Sequence, residues 1–144
     1  MKRSGILMIL CLALGAVRAG AQTQGPGVSL LTQPGPVVSG GSHPCLITLQ
    51  NVTEGGDVWF LLGAPGAGTV SFRGHIFAVP LITPVVAHHQ KVRGSLWYGR
   101  VPVPSDPSLI GWTPMMTAAV MTTYGQFALS PLVPFGPIIE DSIQ

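Results

Sequence analysis

The stretch Val101-Pro-Val-Pro-Ser-Asp-Pro-Ser-Leu-Ile-Gly111 carries three prolines, which exclude it from helices and from central strands. Ser105-Asp-Pro107 is typical of a turn, because the Asp side chain bonds to nearby backbone and the proline presets φ. Leu109 and Ile110 then supply apolar side chains that can anchor the corner. Strand-like apolar runs lie on both sides, so we predict that the chain crosses here from one sheet of a sandwich to the other.

Short apolar segments separated by turn signals recur along the chain, and none outside the N-terminus shows a helical apolar period. Cys45, Ile47 and Leu49 alternate with more polar residues, which predicts a strand with one buried face. Val58–Leu62 is apolar almost throughout, as in a strand buried on both sides, and Gly55-Gly56 before it predicts a hairpin. Residues 114–127 are expected to form one long strand, because the β-branched and aromatic residues Val120, Thr122, Thr123 and Tyr124 favour one.

These segments predict an all-β fold: a single antiparallel β-sandwich of the immunoglobulin-like, Greek-key type with about seven to nine short strands. Gly63-Ala-Pro-Gly-Ala-Gly68 is interpreted as a flexible turn, since it lacks the Lys-Ser/Thr ending of a phosphate-binding loop. His88-His-Gln-Lys91 is interpreted as a polar loop tip.

The N-terminus predicts export. Met1-Lys-Arg3 is basic, residues 5–17 are apolar, and Ala19-Gly-Ala21 matches a small-residue cleavage site, so together they describe a signal peptide. The apolar run is too short to span a bilayer, and no transmembrane segment is expected after leader removal. We predict a secreted or extracytoplasmic protein, located in the periplasm, at the cell surface or outside the cell. The predicted division is a signal-peptide helix at 1–21, a loose lead-in at 22–27, the sandwich domain at 28–139 and a polar C-terminal end at 140–144.

Leader removal changes both the charge and the cysteine count. The full chain has a formal charge of +2, but residues 22–144 hold four basic and five acidic side chains, a formal charge of −1. Without a basic patch, nucleic-acid binding is disfavoured, and no nucleic-acid partner is expected. Cys45 is then the only cysteine, so no internal disulfide can form; it is either buried or free to pair with another chain, and its apolar strand pattern favours burial.

The chain offers little for catalysis or metal binding, and we predict neither catalytic residues, nor a metal site, nor a cofactor. Adjacent histidines such as His88 and His89 point to opposite faces of a strand and cannot readily hold one ion. No serine lies in a nucleophile-elbow motif, and the few carboxylates are poorly suited to glycoside hydrolysis. A small secreted hydrolase would need a Ser or Asp beside one of the four histidines in a cleft.

Three aromatic residues are candidate ligand-binding groups: Trp97, Tyr98 and Trp112. Their rings could stack on the apolar face of a sugar. Alternatively they fill the space between the two sheets, and the degree of burial separates these interpretations. Trp112 follows the Gly111 corner, so among the aromatic residues it is the one most expected to be partly exposed.

Several short motifs between Thr32 and Pro134 also occur together in a known module. They are Leu61-Leu-Gly63 with Ala64-Pro-Gly66, Gly94, the corner at 101–111, Tyr124-Gly-Gln126 and Ala128-Leu-Ser130. In this order they resemble a small β-sandwich module, commonly C-terminal, of secreted planctomycete-type bacterial proteins. The chain departs from the module at Trp112-Thr-Pro-Met115 and at Ser130-Pro-Leu132. The resemblance implies an extracytoplasmic β-sandwich and supplies no catalytic residue.

The leading functional prediction is a non-enzymatic exported β-sandwich that acts as a surface, adhesion or assembly module. Only 8% of the residues are charged, and such a surface tends to associate. The expected partner is an envelope or extracellular component, or further copies of the chain. The alternatives are a glycan- or small-ligand-binding module that uses the exposed aromatics, and the small hydrolase.

Overall fold

The computed structural model describes residues 26–52 and 54–141. The predicted signal peptide at 1–21 lies outside the described residues, as do 22–25 and 142–144. Within the described ranges the chain forms ten strands, no α-helix and one short 3-10 turn at Pro107–Leu109. The strands are β1 (Gly27–Thr32), β2 (Val37–Val38), β3 (Ser42–Gln50), β4 (Gly56–Phe72), β5 (His75–Val92), β6 (Leu96–Pro102), β7 (Met115–Thr122), β8 (Phe127–Leu129), β9 (Val133–Pro134) and β10 (Ile138–Ile139).

The all-β prediction is confirmed, and the main sheets are antiparallel. A small sheet has the strand order β1-β3-β6, and a large sheet has the order β5-β4-β7-β8 with β9 also paired to β7. A two-residue parallel pair, β2 with β10, was not predicted. Three of the strands are only two residues long. The seven longer strands therefore carry both main sheets.

The two sheets share one hydrophobic core, built from alternate residues of facing strands. On β3, Cys45, Ile47 and Leu49 are buried while the residues between them are more exposed, as predicted. Opposite them, β4 contributes Val58 and Phe60, which are fully buried in the same cluster. Period-two alternation places the apolar side chains of each strand on one face, so residues of both sheets meet in this single cluster.

A second cluster covers the opposite face of the large sheet. Leu61 and Trp59 point away from the first core, and Phe72 and Leu81 from the far half of the β4–β5 hairpin pack against them. The far half of the hairpin bends back over the large sheet because the pairing of β4 with β5 shifts register at three places, including Leu62/Ala64 and Pro65/Gly68. Such bulges bend and twist a strand pair. Both faces of β4 are thus covered, as its apolar run predicted.

The structure corrects three local predictions. Gly63–Gly68 is not a turn but part of β4, and a Cβ at Gly68 would clash with the Leu81 carbonyl oxygen, so glycine permits the bend. Gly55 does not close a hairpin, because β3 pairs with β1 and β6 whereas β4 lies in the other sheet. The predicted long strand at 114–127 ends at Thr122, where a tight turn leads into β8.

The proline corner crosses between the sheets as predicted. It joins β6 of the small sheet to β7 of the large sheet. The Asp106 carboxylate accepts hydrogen bonds from the Ser108 N–H and hydroxyl, each at 2.9 Å, and thereby caps the 3-10 turn. These two bonds lower the pKa of Asp106. Leu109 packs against the shared core, while Ile110 remains largely exposed.

Candidate functional site

The three predicted aromatic candidates do not come together. Trp97 lies on the inner side of β6, where its ring contacts Phe60 at 5.4 Å and lies over Gly99. Trp112 is half-buried and packs against the shared core from the corner. Tyr98, the neighbour of Trp97 on β6, points outward and is 71% exposed. The two tryptophans, both partly buried, therefore contribute to packing, whereas the Tyr98 side chain is largely exposed to solvent.

Tyr98 belongs to an apolar row that sequence analysis did not identify. In the strand register, Leu31 of β1 lies opposite Leu46 of β3, which in turn lies opposite Tyr98 of β6. Directly paired residues share a face, so the three side chains stand side by side on the outer surface of the small sheet. Leu96 lies two residues from Tyr98 on the same face. We call the four residues Leu31, Leu46, Leu96 and Tyr98 the small-sheet face.

The exposure of this face is high for large apolar side chains. Leu31 is 64% exposed and Leu96 is 61% exposed, although both stand within a regular sheet. A shallow cavity beside the row is lined by Leu31, Pro44, Leu46 and Tyr98 and measures ≈ 270 Å³. Exposed apolar side chains scattered singly are ordinary, whereas a contiguous patch marks an interaction surface.

A polar cluster holds the tip of the β4–β5 hairpin against the large sheet. The buried Asp57 carboxylate accepts a hydrogen bond from Arg73 at the hairpin tip through one oxygen. Its other oxygen lies 3.1 Å from Nε2 of His89. The His89 ring stacks on Trp59, with centroids 4.8 Å apart, and Trp59 stacks on Phe72 at 4.1 Å. A buried carboxylate needs such partners, because burial without them is costly.

The histidines differ from their predicted environment. His88 and His89 are not in a loop but within β5, and their rings contact Phe60 and Trp59 on opposite faces of the strand. The pairing of His89 with Asp57 provides the acid–imidazole contact that a hydrolase would need. However, no serine contacts His89 through the hydrogen bonds that the structure describes, and the second Asp57 oxygen is taken by Arg73. The arrangement therefore explains how the hairpin is held.

Cys45 is buried, as predicted, at the inner face of β3. Burial raises the pKa of its thiol to about 12, so the thiol remains protonated at neutral pH. Among residues 26–52 and 54–141, no group of three or more His, Cys, Asp or Glu side chains is arranged to hold a metal ion. Over the same ranges, no helix has the length and apolar character needed to cross a membrane.

Fold and surface together define an all-β domain with two antiparallel sheets, a row of exposed apolar side chains on the outer face of the small sheet and a hairpin folded over the large one. No protein-family model and no curated protein matches the chain. Among solved structures, the chain is similar to the crystal structure of Spo0M, a sporulation control protein from Bacillus subtilis, with a TM-score of 0.45 and 10% identity. The alignment covers 83% of this chain and 51% of that one, so this chain spans about half its length.

Proposed function

We propose that the protein is a non-enzymatic, exported assembly module that associates with further copies of itself through the small-sheet face. The observation that carries this proposal is the cross-strand row of Leu31, Leu46 and Tyr98, with two of its three side chains more than half exposed. We further propose the immunoglobulin-like, Greek-key sandwich as the finer fold. The core shared between the two antiparallel sheets supports that assignment.

Charge favours a second copy as the occupant of this face. Residues 26–141 hold four basic and five acidic side chains, so two copies repel each other only weakly. An apolar row is also complementary to itself, which suits a two-fold contact in which the same patch meets on both partners. Arg100, the basic residue on the outer side of β6, is already bonded to the Ser42 hydroxyl and carbonyl of the neighbouring strand.

The size of the face sets the strength of the contact. With strands about 4.8 Å apart and a rise of about 3.3 Å per residue, a sheet of three such strands presents roughly 350 Å². Two copies would bury roughly 700 Å², below the roughly 1,200 Å² of a stable specific complex. A single contact between two copies is therefore weak. The module associates stably where many copies are held close together, because multivalent binding strengthens weak contacts.

The exposed edge of the large sheet is a poorer candidate for assembly. β5 is an edge strand, and Val85 and Val86 are about half exposed on it. Pro80 and Pro84 remove two backbone donors from this edge, and the register shifts opposite Leu62 twist it. Prolines and bulges are the devices by which proteins prevent edge-to-edge pairing.

Sedimentation velocity of the purified protein over a range of concentrations tests the proposal. Wild type is expected to sediment faster as concentration rises, and Tyr98→Ser and Leu31→Thr are expected to abolish this dependence. Ile76→Thr is the matched control, because Ile76 is 74% exposed but lies on β5, away from the small-sheet face. Concentration dependence that survives both face variants, or that Ile76→Thr also removes, contradicts the proposal. Binding to an envelope fraction without self-association would replace it with adhesion.

A further inference from the structure

A second surface lies beside the hairpin tip, on the side of the molecule that belongs to the large sheet. The groove there measures ≈ 430 Å³ and runs between the tip of the β4–β5 hairpin and the turn between β7 and β8. Its volume falls within the range of small-molecule sites. We call it the tip groove; its lining includes Arg73, His75, Phe77, Met121, Thr123 and Tyr124.

One wall of the tip groove is rich in hydrogen-bond donors. Arg73 uses one terminal nitrogen on Asp57, and its side chain remains 54% exposed, so the rest of the guanidinium fork is accessible. His75 is exposed two residues further along. Guanidinium groups recognise planar carboxylates by paired hydrogen bonds. This wall therefore favours an anionic, acceptor-rich ligand.

The other wall offers a flat aromatic surface and a hydroxyl. Tyr124 is 77% exposed, and its hydroxyl donates to Glu54 at 3.0 Å, which fixes the ring in place. Thr123 precedes it in the same turn. Behind the groove, Phe77 stacks on Phe127 with centroids 4.0 Å apart, so the hairpin tip is anchored rather than loose. A rigid exposed ring suits a ligand with an apolar flat face.

We propose that the tip groove binds a saccharide that carries a carboxylate, of the hexuronate class. The carboxylate pairs with Arg73 and His75, and the C–H face of the sugar ring stacks on Tyr124. Of the two nearby acids, Asp57 is already paired with Arg73 and contacts His89, and Glu54 accepts the hydrogen bond of the Tyr124 hydroxyl. The proposal is independent of self-association, since the small-sheet face belongs to the other sheet.

Titration of the purified protein with three probes, followed by NMR chemical shifts, tests the ligand class. Glucuronate supplies both ring and carboxylate, glucose supplies the ring alone, and acetate supplies the charge alone. Glucuronate is expected to shift resonances of the tip groove with a millimolar dissociation constant and to bind about tenfold tighter than either partial probe, the effect of one charge-assisted hydrogen bond. Glucose binding as tightly as glucuronate overturns the carboxylate assignment, and equal binding of acetate overturns the ring contact.

Variants locate the site. His75→Gln and Tyr124→Ser are expected to weaken glucuronate binding about tenfold, because the first removes one of the two partners of the carboxylate and the second removes the ring that stacks on the sugar. Arg93→Gln is the matched control: it removes an exposed donor side chain that does not line the tip groove and is expected to leave glucuronate binding unchanged. Both groove variants act on exposed side chains, so they are expected to fold, which unchanged amide spectra elsewhere would verify. Wild-type affinity in both groove variants overturns the proposal.

Discussion

Replacing Arg73 by Gln tests whether the hairpin tip is held by its contact with Asp57. The Asp57 side chain is 10% exposed, whereas that of Arg73 is 54% exposed, so the pair lies between a surface and a buried ion pair. Exposed pairs contribute about 0–1 kcal/mol and breaking a buried pair costs about 3–5 kcal/mol. We therefore expect Arg73→Gln to lower the free energy of unfolding by about 2 kcal/mol, or roughly 6–10 °C in Tm.

A double-mutant cycle with Asp57→Asn separates the pair from general effects of each substitution. We expect a coupling free energy of about 1 kcal/mol, measured by denaturant unfolding. Arg93→Gln, an exposed arginine between β5 and β6, is the control and is expected to change stability by less than about 0.5 kcal/mol. Faster amide exchange at Val70 and Phe77 in Arg73→Gln should show that the tip opens first. Additive effects of the two substitutions, or unchanged exchange at the tip, would refute the reasoning.

Three further outcomes follow from local chemistry. The Cys45 thiol, with a pKa of about 12, should resist a thiol reagent at pH 8 and react only on unfolding; rapid labelling of the native protein would contradict its burial. Ser130→Ala should lower the free energy of unfolding by about 1–3 kcal/mol, measured by denaturant unfolding, because the Ser130 hydroxyl accepts a hydrogen bond from the buried Ala118 N–H. Ser95→Ala, at an exposed serine, should leave this free energy unchanged, and equal effects of the two substitutions would contradict the prediction. Because hydrogen bonds lower the pKa of Asp106, the stability from its cap should be present above the unfolded-state pKa. This stability should be lost as the pH falls through the lower pKa that Asp106 has in the folded protein. An NMR titration of Asp106 measures that pKa, and a value equal to that of the unfolded chain would contradict the cap.

Features that depend on neighbouring residues were predictable from the sequence. The alternation of Cys45, Ile47 and Leu49 with polar residues predicted the buried face of β3. The unbroken apolar run at Val58–Leu62 predicted a strand covered on both sides, since both of its faces carry apolar side chains that are unfavourable in water. The prolines of the corner predicted a crossing between sheets, because prolines are unfavourable within central strands, and the edge strand β6 indeed ends at Pro102.

Features that depend on distant pairing were not predictable. The glycines at 63–68 carry the same local signal in a turn and in a bent strand, and only their contact with β5 distinguishes the two. The row across Leu31, Leu46 and Tyr98 had one visible sign, a leucine on the polar face of β3. Its completion required the register of three strands that are far apart in the chain. The Asp57–Arg73 contact likewise depends on how far the hairpin bends back.

The two outer faces of the domain show why the small-sheet face is the better candidate for assembly. Every sheet has two faces, and an apolar one must be covered by the same chain or by another molecule. The chain covers the outer face of the large sheet with its own hairpin, and the Phe72 and Leu81 side chains close that cluster. Over the small sheet, Tyr98 and Leu31 stay more than half exposed, so no described residue performs the same task. The chain thus covers the outer face of the large sheet with a long hairpin and leaves apolar side chains exposed on the outer face of the small sheet. This difference between the two faces is the one that an assembly surface requires.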